Sequence, residues 1–151
     1  MRRKDLALTR EDTLALIDAG EYAVLCLAGA DGLPYGVPLD YVRRGDSLYF
    51  HGAKAGRKVD LMAENPRVCA VIVGDTQVVP EKFGRRYRSA IVEGPVELID
   101  APEEKRQAMT RVVAGRSPDY QEKGQAVIEK MLDRVLVYKM KMETVSGKHG
   151  L

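Results

Sequence analysis

Leu48-Tyr-Phe-His-Gly-Ala-Lys-Ala-Gly-Arg-Lys-Val-Asp60 is the stretch that decides the fold. Ser47 to His51 is aromatic and apolar, the composition of a short strand. Two glycines and three cations, Lys54, Arg57 and Lys58, follow. A helix is then predicted over Val59 to Glu64, ended by Asn65-Pro66 because the residue before a proline avoids the helical region. A strand that leads through such a turn into a helix start suits an anion. Backbone amides at a helix N-terminus attract negative charge, and Arg and Lys add charge-assisted hydrogen bonds to phosphate oxygens. Neither Gly-x-x-x-x-Gly-Lys-Ser/Thr nor Gly-x-Gly-x-x-Gly occurs, so a terminal phosphate monoester fits better than a nucleotide P-loop ligand. Taken alone, the same residues also describe a solvated basic turn.

Upstream, Thr9-Arg-Glu-Asp12 has the spacing of a capping box, Leu14, Leu16 and Ile17 give a short apolar helical face, and Gly20 ends it. Tyr22 to Ala28 reads as a strand, Ala30-Asp31-Gly32 as a hairpin turn, and Tyr35 to Val42 as a second strand. Pro38 puts that strand at an edge or in a bulge, since proline donates nothing to a ladder. With the turn Arg44-Gly45-Asp46 and the strand to His51, the opening reads as a three-stranded antiparallel meander.

Downstream, Arg67 to Gly74 is almost wholly apolar and reads as a strand buried on both faces. Asp75 to Arg85 reads as a polar connection, and Tyr87 to Ile99 as a long strand bulged at Gly94-Pro95. Helices are expected from Pro102 and from Ser117-Pro118, and a last strand over Val135 to Met142. Residues 1–8 and 146–151 read as flexible ends of one domain, 1–151. The fold class is therefore mainly β: a small barrel of six antiparallel strands with flanking helices.

Composition narrows the function. Among 151 residues, 24 Lys and Arg against 22 Asp and Glu give a net charge of +2, which argues against a protein that coats nucleic acid. The basic start has no apolar segment or small-residue cleavage site behind it, so a cytoplasmic protein is expected. Cys26 and Cys69 lie in apolar runs without metal-ligand spacing; they read as buried strand thiols, and no metal is expected. No Ser/His/Asp or Cys/His arrangement is legible. His51, at a strand end before a glycine, could hydrogen-bond a ligand or move a proton, or could serve structure alone. A second basic group, Lys82, Arg85, Arg86 and Arg88, precedes Ser89. It reads as a loop rim, or as strand-edge residues that reach the same ligand.

The order of these pieces is more specific than any one of them. His51-Gly-Ala-x-x-Gly-x-Lys58, then Asn65-Pro66, then Tyr87-Arg-Ser-Ala-Ile-Val-Glu-Gly94 resembles the FMN-binding split-barrel proteins related to pyridoxamine 5′-phosphate oxidase, and most closely their nitroimidazole-resistance (Nim-like) branch. The likeness runs from about Arg3 to Lys148. It implies a six-stranded split barrel and a homodimer with FMN in a groove between subunits. It implies Arg57 and Lys58 on the phosphate, and Pro38, Leu39, Asp40 and Tyr41 along the isoalloxazine. Phe50 and His51 are then beside the flavin, and Ser89 near the ribityl or ring edge; Arg88, at the same strand edge, is a further candidate cofactor contact. His51 is the one candidate catalytic residue. The true oxidase uses further C-terminal residues for its substrate. Val145-Ser-Gly-Lys-His-Gly-Leu151 does not carry that pattern, so the oxidase reaction itself is not expected.

The function this implies is FMN-dependent reduction of a small nitroaromatic-type electrophile, fed by a separate electron donor. The alternatives are a flavin-binding or redox-sensing module without turnover, and a haem- or deazaflavin-binding relative.

Overall fold

A computed structural model describes residues 3–151. Helices α1 (Arg10–Ala19), α2 (Arg57–Glu64), α3 (Pro102–Arg116) and α4 (Gln121–Met131) flank eight antiparallel strands. The strands are β1 (Ala23–Ala28), β2 (Pro34–Leu39), β3 (Tyr41–Arg44), β4 (Ser47–Ala53), β5 (Arg67–Val79), β6 (Gly84–Leu98), β7 (Val135–Lys141) and β8 (Thr144–Gly150). They run in the order β2-β1-β5-β6-β7-β4-β3, with β8 also paired to β6. The two ends of this order, β2 and β3, are consecutive in the chain and joined by Asp40 alone, so the ladder curls round on itself. The fold is mixed but mostly β.

Eight strands replace the expected six for two reasons. The segment Tyr35 to Val42 is not one strand: Leu39 pairs with Ala23 on β1, while Tyr41 pairs with Phe50 on β4. The expected meander is therefore broken at Asp40. Pro38 does lie on an edge strand, in regular register with Val24. The second reason is that residues 146–150, expected as a flexible end, belong to β8, which pairs with β6 from Glu93 to Tyr87. Gly147 is needed there because a side chain would run into Thr13 on α1. At the other end, Lys4–Leu6 form one 3-10 turn and Ala7 bridges to Lys148; Met1 and Arg2 lie outside the described residues.

Three further expectations change. Asp75 to Arg85 is a two-stranded arm, not a loose connection. β5 and β6 keep pairing through Gln77–Arg86, Val78–Arg85 and Val79–Gly84, past a register shift between Gly74 and Gln77. Backbone hydrogen bonding continues although the side chains have turned polar. No bulge occurs at Gly94-Pro95, which stay in register with Val68 and Arg67. Instead, β6 changes neighbour there, from β8 up to Glu93 to β7 from Val96. Finally, β5 is not covered on both faces. Val68, Ala70 and Ile72 are buried, while Cys69 and Val71 are half-buried and Val73 is exposed.

The main core fills the inside of the curled sheet with Leu25, Leu48, Phe50, Ile72, Val92 and Met140, and α1 adds Leu16 and Ile17. Thr9 caps α1 as expected, accepting from the Asp12 N–H at 3.0 Å. A second core, Tyr49, Ile99, Ala108, Val135 and Val137, lies on the other face of β4 and β7 beneath α3. Strand alternation through β4 thus sends Leu48 and Phe50 one way and Tyr49 the other.

Candidate functional site

The site grows from the C-terminal end of β4. His51 continues the Tyr49 face and is half-buried. Its Nδ1 is enclosed without a hydrogen-bond partner. Burial pushes the imidazole pKa below its ordinary value, and Asp40 opposes that shift. Asp40 is exposed and one step beyond the Tyr41–Phe50 pair, which puts it across from His51. An enclosed ring nitrogen with no partner is costly, and such groups call for a ligand or water.

Gly56, at φ 124°, turns the chain into α2 and accepts from the Val59 N–H at 2.8 Å. The helix therefore begins at Arg57, two residues before the expected start at Val59, and both cations sit in its first turn. Arg57 is exposed, with its guanidinium carbon 4.7 Å from the centre of the Tyr35 ring. A cation stacked this way keeps its edge donors free. Lys58 is half-buried and folds back over Gly52. Among the described residues neither makes an ion pair, whereas Arg43, Arg67, Arg88 and Arg106 all do. Two uncommitted cations beside exposed helix amides fit the phosphate of a flavin nucleotide.

Pro38, Leu39, Asp40 and Tyr41 run along the edges of the sheet order. Val37 and Leu39 pack against the main core, so the apolar side chains of this segment are largely spent inward. The edge instead offers Pro38, Asp40 and backbone groups not used in the ladder, a fit to the polar rim of a flavin. Tyr41 and Phe50 are core residues with rings 6.2 Å apart. The Tyr41 hydroxyl donates to the Ile17 carbonyl, and burial pushes its pKa up to about 12. The side chains of these two residues are therefore closed to a ligand, and Phe50 is also paired on both sides, with Tyr41 and with Tyr138.

Arg88 and Ser89 stand elsewhere. Arg88 is paired with Asp75 beside a cleft of about 480 Å³, and Ser89 lies across from Val73 and Lys148 on the outer sheet face. Arg57 is seated over Tyr35, which pairs with Leu27 near the far end of β1. At ~3.3 Å per residue, the two groups are roughly 15–20 Å apart along the strands. One chain does not bring them together. Tyr35 is the neighbour that sequence reading missed; it is recognised only by its contact with α2 across the fold.

No helix among the described residues is long and apolar enough to cross a membrane, and no group of three or more potential metal-ligating side chains occurs among them. A search of curated proteins finds no match. Among solved structures, the flavocytochrome Anf3 from Azotobacter vinelandii superposes with a TM-score of 0.84 at 25% identity, covering 100% of this chain and 72% of that one. A FAD- and haem-binding protein from Mycobacterium smegmatis gives 0.81 at 25%, covering 94% and 71%. A protein described as a candidate for 5-nitroimidazole antibiotic resistance, from Bacteroides thetaiotaomicron, gives 0.80 at 23%, covering 95% and 86%, and shares the fold. The family description of pyridoxamine 5′-phosphate oxidase matches residues 9–149, and on that match the chain belongs to this split-barrel family, in which flavin binding is typical.

Proposed function

We propose that the chain binds FMN and, as a homodimer, uses it to reduce a small electrophile of the nitroaromatic type. The observation that carries this reading is the pair Arg57 and Lys58, free of ion pairs in the first turn of α2. The FMN phosphate carries about two negative charges at neutral pH, as other phosphate monoesters do. The two cations and the amides after Gly56 hold it. When bound, the flavin supplies hydride or electron transfer, and the protein supplies binding, orientation and electrostatics. His51, whose pKa burial lowers, has its Nδ1 enclosed, so Nε2 is the ring nitrogen left to donate or accept one hydrogen bond at the flavin or substrate. Asp40 across from it favours the charged imidazole, so proton uptake at His51 is the step this pair can support.

The separation of Arg88 and Ser89 from α2 supports the dimer: these residues join the same flavin only when two copies meet. The similarity to a nitroimidazole-resistance candidate supports the substrate class. The names of the Azotobacter and Mycobacterium neighbours support a second reading, a flavin- or haem-binding relative. The visible spectrum of the purified protein separates them. Flavin bands that bleach with a reductant and recover on adding a nitroaromatic support the enzyme. A Soret band supports haem. A colourless protein that takes up no FMN overturns the proposal.

A further inference from the structure

Cys26 and Cys69, expected as buried strand thiols, are direct partners across β1 and β5. Both are free and half-buried. They sit mid-row on the outer sheet face, between Gly36 on β2 and Glu93 on β6. Gly36 leaves the space beside Cys26 open. With Arg67, Glu93 and Thr144 they border an open cavity of about 400 Å³, room enough for a small oxidant or reductant. Burial pushes the Cys69 thiol up, and Cys26 itself adds to the shift, as two adjacent thiols would.

We propose that Cys26 and Cys69 form a redox-modification site: a cross-strand disulfide that hydrogen peroxide makes and a thiol reductant breaks. Directly opposed antiparallel residues have Cα atoms ~4.5–5.5 Å apart, inside the ~4.4–6.8 Å that a disulfide spans. Their Cβ atoms, at ~4.5–5.5 Å, stand slightly wider than the ~3.5–4.5 Å of the bonded pair. Closure therefore draws the strands together, and a bond made under strain is easier to reduce. In the first step one thiolate attacks a peroxide oxygen. The O–O bond breaks, leaving a sulfenic acid and, after protonation, water. The second thiolate then attacks the sulfenic sulfur; the S–S bond forms, the S–O bond breaks, and hydroxide leaves as water. Two thiols lose two electrons and one peroxide becomes two waters.

The loop this bond closes contains Asp40, His51, Arg57 and Lys58, so oxidation tethers the whole segment that carries the candidate flavin site. Closing such a loop restricts the unfolded chain and raises thermal stability. The site is independent of whether flavin binds.

The test is peroxide treatment of the native full-length protein, followed by alkylation, intact mass and peptide mapping. The expected product is one species lighter by two hydrogen atoms, with the Cys26 and Cys69 peptides linked within one chain. Its Tm is raised by about 4 °C or more, and dithiothreitol reverses both changes. Cys26→Ser and Cys69→Ser should each abolish the product. Oxygen adducts on single cysteines, links between chains, or two thiols that survive treatment would overturn the proposal. The map of the unsubstituted protein decides even if a variant fails to fold.

Discussion

Lys58 folds back over the end of β4 until its Nζ lies 3.3 Å from the point where a side chain at Gly52 would stand, with Cε at 3.0 Å. Gly52 is thus a seat for the ammonium group. Gly52→Ala displaces the flexible end of Lys58 rather than backbone, so stability should change by less than ~0.5 kcal/mol. FMN affinity should fall several-fold, on the order of 1 kcal/mol. Fluorescence titration and a thermal melt read the two effects separately.

Lys54 and Lys58 are four residues apart on opposite sides of the Gly56 turn, and only Lys58 lies in the helix. Lys58→Ala removes a charge-assisted contact to phosphate. FMN should bind about 10–100-fold more weakly, the range of such contacts. Lys54→Ala should stay within about twofold of the unsubstituted protein, as the loss of an exposed charge. Equal losses in the two titrations would contradict the placement of the phosphate.

Tyr41 donates to Ile17, one of the carbonyls that the end of α1 leaves without a helical partner. Tyr41→Phe leaves that acceptor buried and unpaired. Urea denaturation should show a loss of about 1–2 kcal/mol. A smaller loss would mean that water replaces the phenol.

The His51 imidazole is held below its ordinary pKa by burial, which gives a pH dependence of known sign. The unfolded chain takes up a proton as pH falls through ~6.5, while the folded chain stays neutral until the lowered pKa is reached. The stability His51 contributes is therefore complete above ~6.5, declines as pH falls below it, and levels off beneath the folded pKa. His51→Gln should remove this part of the slope in denaturation curves between about pH 7.5 and 5.5. An unchanged slope would show that the ring is solvated.

The features legible in the sequence were the local ones. Thr9 and Asp12 are three residues apart, and His51 to Lys58 is contiguous, so capping and the basic turn needed no knowledge of topology. The split at Asp40 was hidden because Tyr35, Val37, Leu39 and Tyr41 all pack toward the main core. The inward alternation runs through the pivot without a break. β8 was hidden because Ser146-Gly-Lys-His-Gly150 has the composition of a tail. Its glycines answer to Thr13 and Tyr87, residues far away in the chain. The Arg57–Tyr35 stack and the Cys26–Cys69 pair depend likewise on strand order, which no local pattern encodes.

On the proposed function, the phosphate of FMN is held at the first turn of α2. Paired titrations of the flavin-free protein with FMN and with riboflavin, which lacks the phosphate, test it most directly. FMN should bind at least about 100-fold more tightly, the worth of two charge-assisted contacts, and that preference should collapse in the Arg57→Ala, Lys58→Ala double variant. Equal affinity for the two flavins, or a preference that survives the double substitution, would contradict a phosphate site at α2.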